Sequence, residues 1–121
     1  MNYIRLKQNN LYVEKISAHT LTKKYKTPFY CYSLQQLKSN FYNFAGAFKE
    51  IKPLICFSVK SNANTNLLKE LKKIGSGADV VSAGELLKAT KAGINGKKIV
   101  FSGVGKTNEE IKLAIKKEVL L

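Results

Sequence analysis

Leu54-Ile55-Cys56-Phe57-Ser58-Val59, the stretch from Asn64 to Ile74, and Ala78-Asp79-Val80-Val81-Ser82 follow one another in the chain, and together they decide the fold. The first six residues are rich in strand-forming types and read as a β-strand. Ile55, Phe57 and Val59 share one face of it, and Cys56, Ser58 and Lys60 share the other. In the next segment Leu67, Leu68, Leu71 and Ile74 recur at helical spacing, and Gly75 supplies the stop. Ala78 to Ser82 returns to a strand pattern. A strand, a helix and a second strand at this spacing imply a parallel pair.

Downstream the unit repeats. Ser82 and Glu85 have the spacing of a capping box, and the helix from Ala83 ends at Gly93. Lys98-Ile99-Val100-Phe101-Ser102 is a strand. Thr107 and Glu110 form another box before Ile111, Ala114 and Ile115, and Val119-Leu120-Leu121 enters a further strand. Strands thus recur about every 20 residues, each followed by a short helix, a βαβ series. A strand with one apolar face and one polar face suits a barrel wall, packed on helices outside and approaching a site inside. An open doubly wound sheet has both faces apolar.

Upstream, Leu11-Tyr12-Val13 is strand-prone and a helix runs towards Tyr25. Thr27-Pro28-Phe29-Tyr30-Cys31-Tyr32 reads as a strand with proline at its tolerated start. Ser33 and Gln36 then open a helix whose apolar face is Leu34, Leu37, Phe41, Phe44, Ala45 and Phe48, closed before Pro53. The expected division is an amino-terminal segment, residues 1–32, and the first part of a barrel, residues 33–121.

Composition sets limits. The chain has 121 residues, 45% of them hydrophobic. That excludes simple disorder, and no apolar run approaches the roughly 20 residues of a membrane span. A complete (β/α)₈ barrel takes roughly 250 residues, so an incomplete barrel is expected. Met1-Asn2-Tyr3-Ile4-Arg5-Leu6-Lys7-Gln8 has no apolar core of a secretory signal, so a cytoplasmic location is expected. The net charge is +13, from 20 lysines and the single Arg5 against 8 acids. Base readout favours the arginine fork, so this lysine surplus reads as a solvated surface and no nucleic-acid partner is expected. Cys31 and Cys56 read as two buried thiols, no metal-ligand spacing is present, and His19 reads as a solvated or packing residue.

Three residues invite chemistry. Lys60 closes the first barrel strand on its polar face, at the end where α/β barrels gather catalytic groups, and a partly desolvated amine there is a nucleophile or Schiff-base former. Asp79, the one aspartate in the chain, sits inside a strand, a position disfavoured without a partner. Glu85 opens the following helix, where capping Ser82 is its alternative employment. Gly75-Ser76-Gly77 precedes a strand and so lies at the wrong end for a phosphate loop. Gly103-Val104-Gly105 lies at the right end but matches no phosphate-loop pattern and reads as a turn.

Taken in order, these segments resemble a family. Ile55-Cys56-Phe57-Ser58-Val59-Lys60-Ser61-Asn62 resembles the pyridoxal-phosphate lysine strand of the alanine-racemase-like barrel decarboxylases. Gly75 to Leu86 and Ile99-Val100-Phe101-Ser102-Gly103-Val104-Gly105-Lys106 look like the diaminopimelate decarboxylases among them. Thr27 to Tyr32 resembles the strand of that family's β-domain that precedes the barrel.

The resemblance implies the first three βα units and the start of the fourth strand of a pyridoxal-phosphate-binding barrel. It implies Lys60 as Schiff-base lysine and cofactor ligand, with Asp79 and Glu85 as supporting acids. The implied reaction converts meso-diaminopimelate to L-lysine and carbon dioxide, the partner being a small amino acid and the full-length enzyme a homodimer. The family's cofactor-stacking histidine, phosphate loop, pyridine-pairing acid and carboxyl-terminal segments are not found here, so these residues alone are expected to be an inactive amino-terminal fragment. Alternatives are a decarboxylase of another basic amino acid or a carboxylated polyamine, and a noncatalytic basic α/β module.

Overall fold

The computed structural model describes residues 3–121, so Met1 and Asn2, the first residues of the stretch read for a secretory signal, lie outside it. The chain falls into two compact units, Met1–Ala47 and Phe48–Leu121. Among the described residues no helix is long and apolar enough to cross a membrane.

The amino-terminal unit begins with a three-stranded antiparallel sheet, β1 (Ile4–Lys7), β2 (Asn10–Val13) and β3 (Ile16–Ser17). Strand β1 lies ahead of the strand read at Leu11 and adds to it. Its hairpin closes through Gln8 and Asn9, both at positive φ (48° and 60°), the signature of a two-residue turn that matches strand twist. Helix α1 (Ala18–Lys24) is capped by the Ser17 hydroxyl, which accepts from the Thr20 amide. Thr27 and Pro28 lie in a bend and residues 29–32 belong to no strand, so the strand expected there is absent. Propensity sets extension, but a strand also needs a neighbour for its amides and carbonyls. Cys31 is accordingly exposed, against the buried thiol expected.

Helix α2 (Leu34–Ala47) has an amino-terminal cap built by two elements. The Ser33 hydroxyl accepts from the Gln36 amide at 3.0 Å, as its spacing foretold. The Glu14 carboxylate, brought in from the sheet, accepts from the Ser33 hydroxyl and the Gln35 amide at 2.8 and 2.9 Å. Gln36 does not complete a box; its side chain donates to Asn40 and accepts from the Tyr3 amide.

In the second unit β4 (Cys56–Ser58), β5 (Gly77–Val80) and β6 (Ile99–Phe101) form a parallel sheet in chain order. Cys56 lies opposite Gly77, and Ser58 opposite Asp79 and then Val100. Leu120 joins as a parallel bridge to Val100, so the fourth strand begins where the rhythm required. Sequential parallel order is what a barrel wall needs, and the sheet is open. Between strands run α3 (Thr65–Lys73), α4 (Ala83–Lys91) and α5 (Asn108–Lys116).

Each helix starts and stops for a local reason. Asn64, Ser82 and Thr107 side chains cap the three amino-termini. Gly75, at φ +94°, ends α3: its amide reaches the Lys72 carbonyl and that of Ser76 the Leu71 carbonyl, both at 3.1 Å. Only glycine adopts that left-handed conformation without a Cβ penalty.

One face of the sheet holds the core. Val59, Ala78, Val80, Ile99 and Phe101 are buried against Leu68, Leu86, Ala89 and Ala114 of the helices. The other face carries Cys56 and Ser58, Gly77 and Asp79, and Val100. The alternation read from the first strand is therefore correct as far as Ser58.

Candidate functional site

The polar face of the parallel sheet converges on Asp79. Its carboxylate lies on the central strand, level with Ser58. Oδ2 accepts from the Ser58 hydroxyl at 3.2 Å, and Oδ1 accepts from the Ser102 hydroxyl just beyond β6. A lone aspartate in a strand is thus satisfied from both flanking strands, which answers the need for a partner seen in the sequence. Ser102 had no assigned part in the sequence; the signal was strand parity, since it falls two residues after Val100 on Asp79's own face. The charge of Asp79 is felt one pair away. The Cys56 thiol is pushed above its ordinary value, first by burial and then by the Asp79 carboxylate.

Lys60 stands differently from the sequence expectation. Strand β4 ends at Ser58, and Val59–Ser61 form a single turn of 3₁₀ helix. That turn is tied by the Ser61 hydroxyl donating to the Ser58 carbonyl at 2.7 Å and by the Asn62 amide donating to the Val59 carbonyl at 3.1 Å. Val59 is driven into the core, and Lys60 is exposed rather than partly desolvated. Strand alternation stops two residues too early to fix its face. It remains at the carboxyl-terminal end of the parallel strands, and among the described residues it makes no ion pair.

Glu85 is turned to the backbone. The Ser82 hydroxyl accepts from the Glu85 amide at 3.3 Å, while the Glu85 carboxylate accepts from the Val81 amide at 2.9 Å, one residue short of a reciprocal box. Two other groups brace the same end. Glu110 completes its box with Thr107 and also accepts from the Ala83 amide at 2.9 Å, joining the starts of α4 and α5. These amides hold its carboxyl below the usual glutamate value. The Lys106 ammonium donates to the Gly103 carbonyl at 2.6 Å and lies 5.4 Å from the Phe101 ring centre, fixing the turn after β6.

A cavity of about 650 Å³ in the amino-terminal unit, lined by residues such as Arg5, Val13, Leu21 and Leu34, contains none of Lys60, Asp79 or Glu85. The chemistry-bearing residues therefore gather at the strand ends of the second unit. What they offer is a primary amine on the turn after β4 and, on the neighbouring strand, a carboxylate that hydroxyls hold in place. Such a donor set fits the aldehyde end of a pyridoxal cofactor, because an exposed amine without an ion-pair partner is open to condensation.

Comparison with known proteins bears on the same residues. Residues 34–121 match the family described as pyridoxal-dependent decarboxylase, pyridoxal binding domain. The chain is 51% identical over 100 residues to a diaminopimelate decarboxylase of Helicobacter pylori, an alignment covering 83% of this chain and 25% of that protein. The crystal structure of diaminopimelate decarboxylase from M. jannaschii in complex with L-lysine superposes with a TM-score of 0.91 at 35% identity, covering 98% of this chain and 29% of that one. A lysine decarboxylase from Selenomonas ruminantium superposes with a TM-score of 0.81 at 25% identity, over 98% of this chain and 30% of that one. The chain spans about a quarter of the length of the curated relatives it matches.

Proposed function

The chain belongs to the pyridoxal-dependent decarboxylases, and from that premise we propose that it supplies the lysine-bearing part of a diaminopimelate decarboxylase. The whole protein would remove one carboxylate of meso-diaminopimelate as carbon dioxide and put a proton in its place, giving L-lysine. The observation that carries this reading is Lys60, an exposed amine just past the end of β4, two residues beyond Ser58 of the Ser58–Asp79–Ser102 face.

Each residue has a part in it. Lys60 would hold the cofactor through its amine and later return a proton to the carbon that loses its carboxylate. Asp79 is a fixed negative charge on the sheet face that approaches the site. Glu85 keeps the start of α4 in place through Val81 and supports the site from there. When bound, pyridoxal phosphate supplies an electron sink for the pair left behind as carbon dioxide departs. A cytoplasmic location and a homodimer belong to the same reading of the whole protein. These 121 residues alone present an open sheet and one wall of a site, and they are expected to release no carbon dioxide.

The test is carbon dioxide release by the whole protein from meso-diaminopimelate, L-lysine and L-ornithine in parallel. Release from diaminopimelate, lowered by roughly 10³-fold or more in Lys60→Ala, is the expected result. Release from L-lysine or L-ornithine in its place would move the chain to the decarboxylases of other basic amino acids.

A further inference from the structure

Asp79 makes no ion pair among the described residues, although the chain carries 20 lysines and one arginine. Each of its oxygens is instead taken by a neutral hydroxyl, one from β4 and one from just past β6. Ser58, its register partner, stands only two residues before Lys60. The turn that carries Lys60 packs on β5, the strand that holds Asp79. Contact with a carboxylate holds an amine as the ammonium. Condensation with an aldehyde forms one carbon–nitrogen double bond and releases one water, and it requires the amine without its extra proton.

We propose that Ser58 and Ser102 are positioning residues: they pin the Asp79 carboxylate to the sheet from both sides and so keep it out of a contact ion pair with Lys60. The geometry argues for restraint rather than chance contact. Strand β4 and the residue just past β6 contribute one hydroxyl each, the two bonds go to different oxygens, and the carboxylate is left with no rotation that keeps both. The 3₁₀ turn completes the separation, because it carries Lys60 off the line of β4 while Ser58 stays on it.

This inference deepens the reading that Lys60 carries the cofactor, and its test has an arm that needs no cofactor. The chain is acetylated competitively with limiting acetic anhydride, and Lys60 is compared by peptide mass spectrometry with Lys69 and Lys112, two exposed helix lysines. Ser58→Ala with Ser102→Ala is expected to lower acetylation of Lys60 by about tenfold relative to those references, because a contact carboxylate leaves about a tenth as much of the amine unprotonated. Adding Asp79→Asn is expected to restore it, and the Ser→Thr pair, which keeps both hydroxyls and guards against a folding defect, to leave it unchanged. Unchanged acetylation in the alanine pair, or no recovery with Asp79→Asn, overturns the proposal. In the second arm pyridoxal phosphate and borohydride replace the anhydride. Failure of the unaltered chain to label Lys60 above other lysines there would count against the cofactor reading, and the acetylation result would still decide the role of the serines.

Discussion

Leu6 on β1 is 70% exposed, whereas Phe101 on β6 is 1% exposed, although both are large apolar residues on strands of three-stranded sheets. The difference runs through both units. Among the described residues up to Ala47 the buried one is Ser33, whereas the second unit buries a continuous cluster from Val59 to Val119. The reason is connectivity. Two-residue turns let β1, β2 and β3 satisfy one another's backbone groups at once, but they bring no second layer to cover a face. A parallel connection must cross back over the sheet, and the crossover helix is itself the cover. The unit whose backbone is hardest to close is therefore the one that buries its side chains.

That contrast can be broken experimentally, and the largest effect belongs to the core. Phe101→Ala should cost about 3–5 kcal/mol in chemical denaturation of the chain, while Leu6→Ala should stay within about 0.5 kcal/mol. Equal losses would mean that the two sheets are buried alike. A smaller loss is expected at the helix-to-strand joint of the second unit. A Cβ at Gly96 would stand 1.7 Å from the Lys117 carbonyl oxygen, which is backbone and cannot swing aside. Gly96→Ala should therefore cost roughly 1–3 kcal/mol, read as a lowered Tm, and an unchanged Tm would show that the two backbone segments can part without loss.

The smallest effect concerns how the helix starts are tied. Glu110 has its carboxyl lowered by the Thr107 and Ala83 amides, so its stabilisation is present above the ordinary value of 4.5 and is lost as pH falls through the lower folded value. Glu110→Gln should lower Tm near neutral pH, and the gap from the unaltered chain should close below that range. A gap that persists in acid would assign the effect to packing rather than to charge.

Much of this is written in local pattern. The helices of the second unit begin at Asn64, Ser82 and Thr107 and end near Gly75 and Gly93, because caps are short-range hydrogen bonds that a few neighbouring residues decide. The alternation of Phe57 and Val59 with Cys56 and Ser58 foretells which face meets the helices. Local pattern fails where a partner is needed. Thr27 to Tyr32 has strand-forming side chains but no paired strand among the described residues, and β1 has no core face to betray it because its apolar residues remain exposed. The sequence position of Lys60 extends an alternation one turn beyond the strand that generates it.

The amino-acid sequence by itself determined the βα rhythm, the helix boundaries and the candidacy of Lys60 and Asp79, since periodicity, capping and residue type are properties of neighbouring positions. Tertiary structure alone decided that Asp79 would be met by Ser58 and Ser102, that Glu110 would reach Ala83, and that Glu14 would cap α2. Those bonds span 19 to 27 positions along the chain. Strand register and helix packing fix such distances, and no local stretch of residues encodes them.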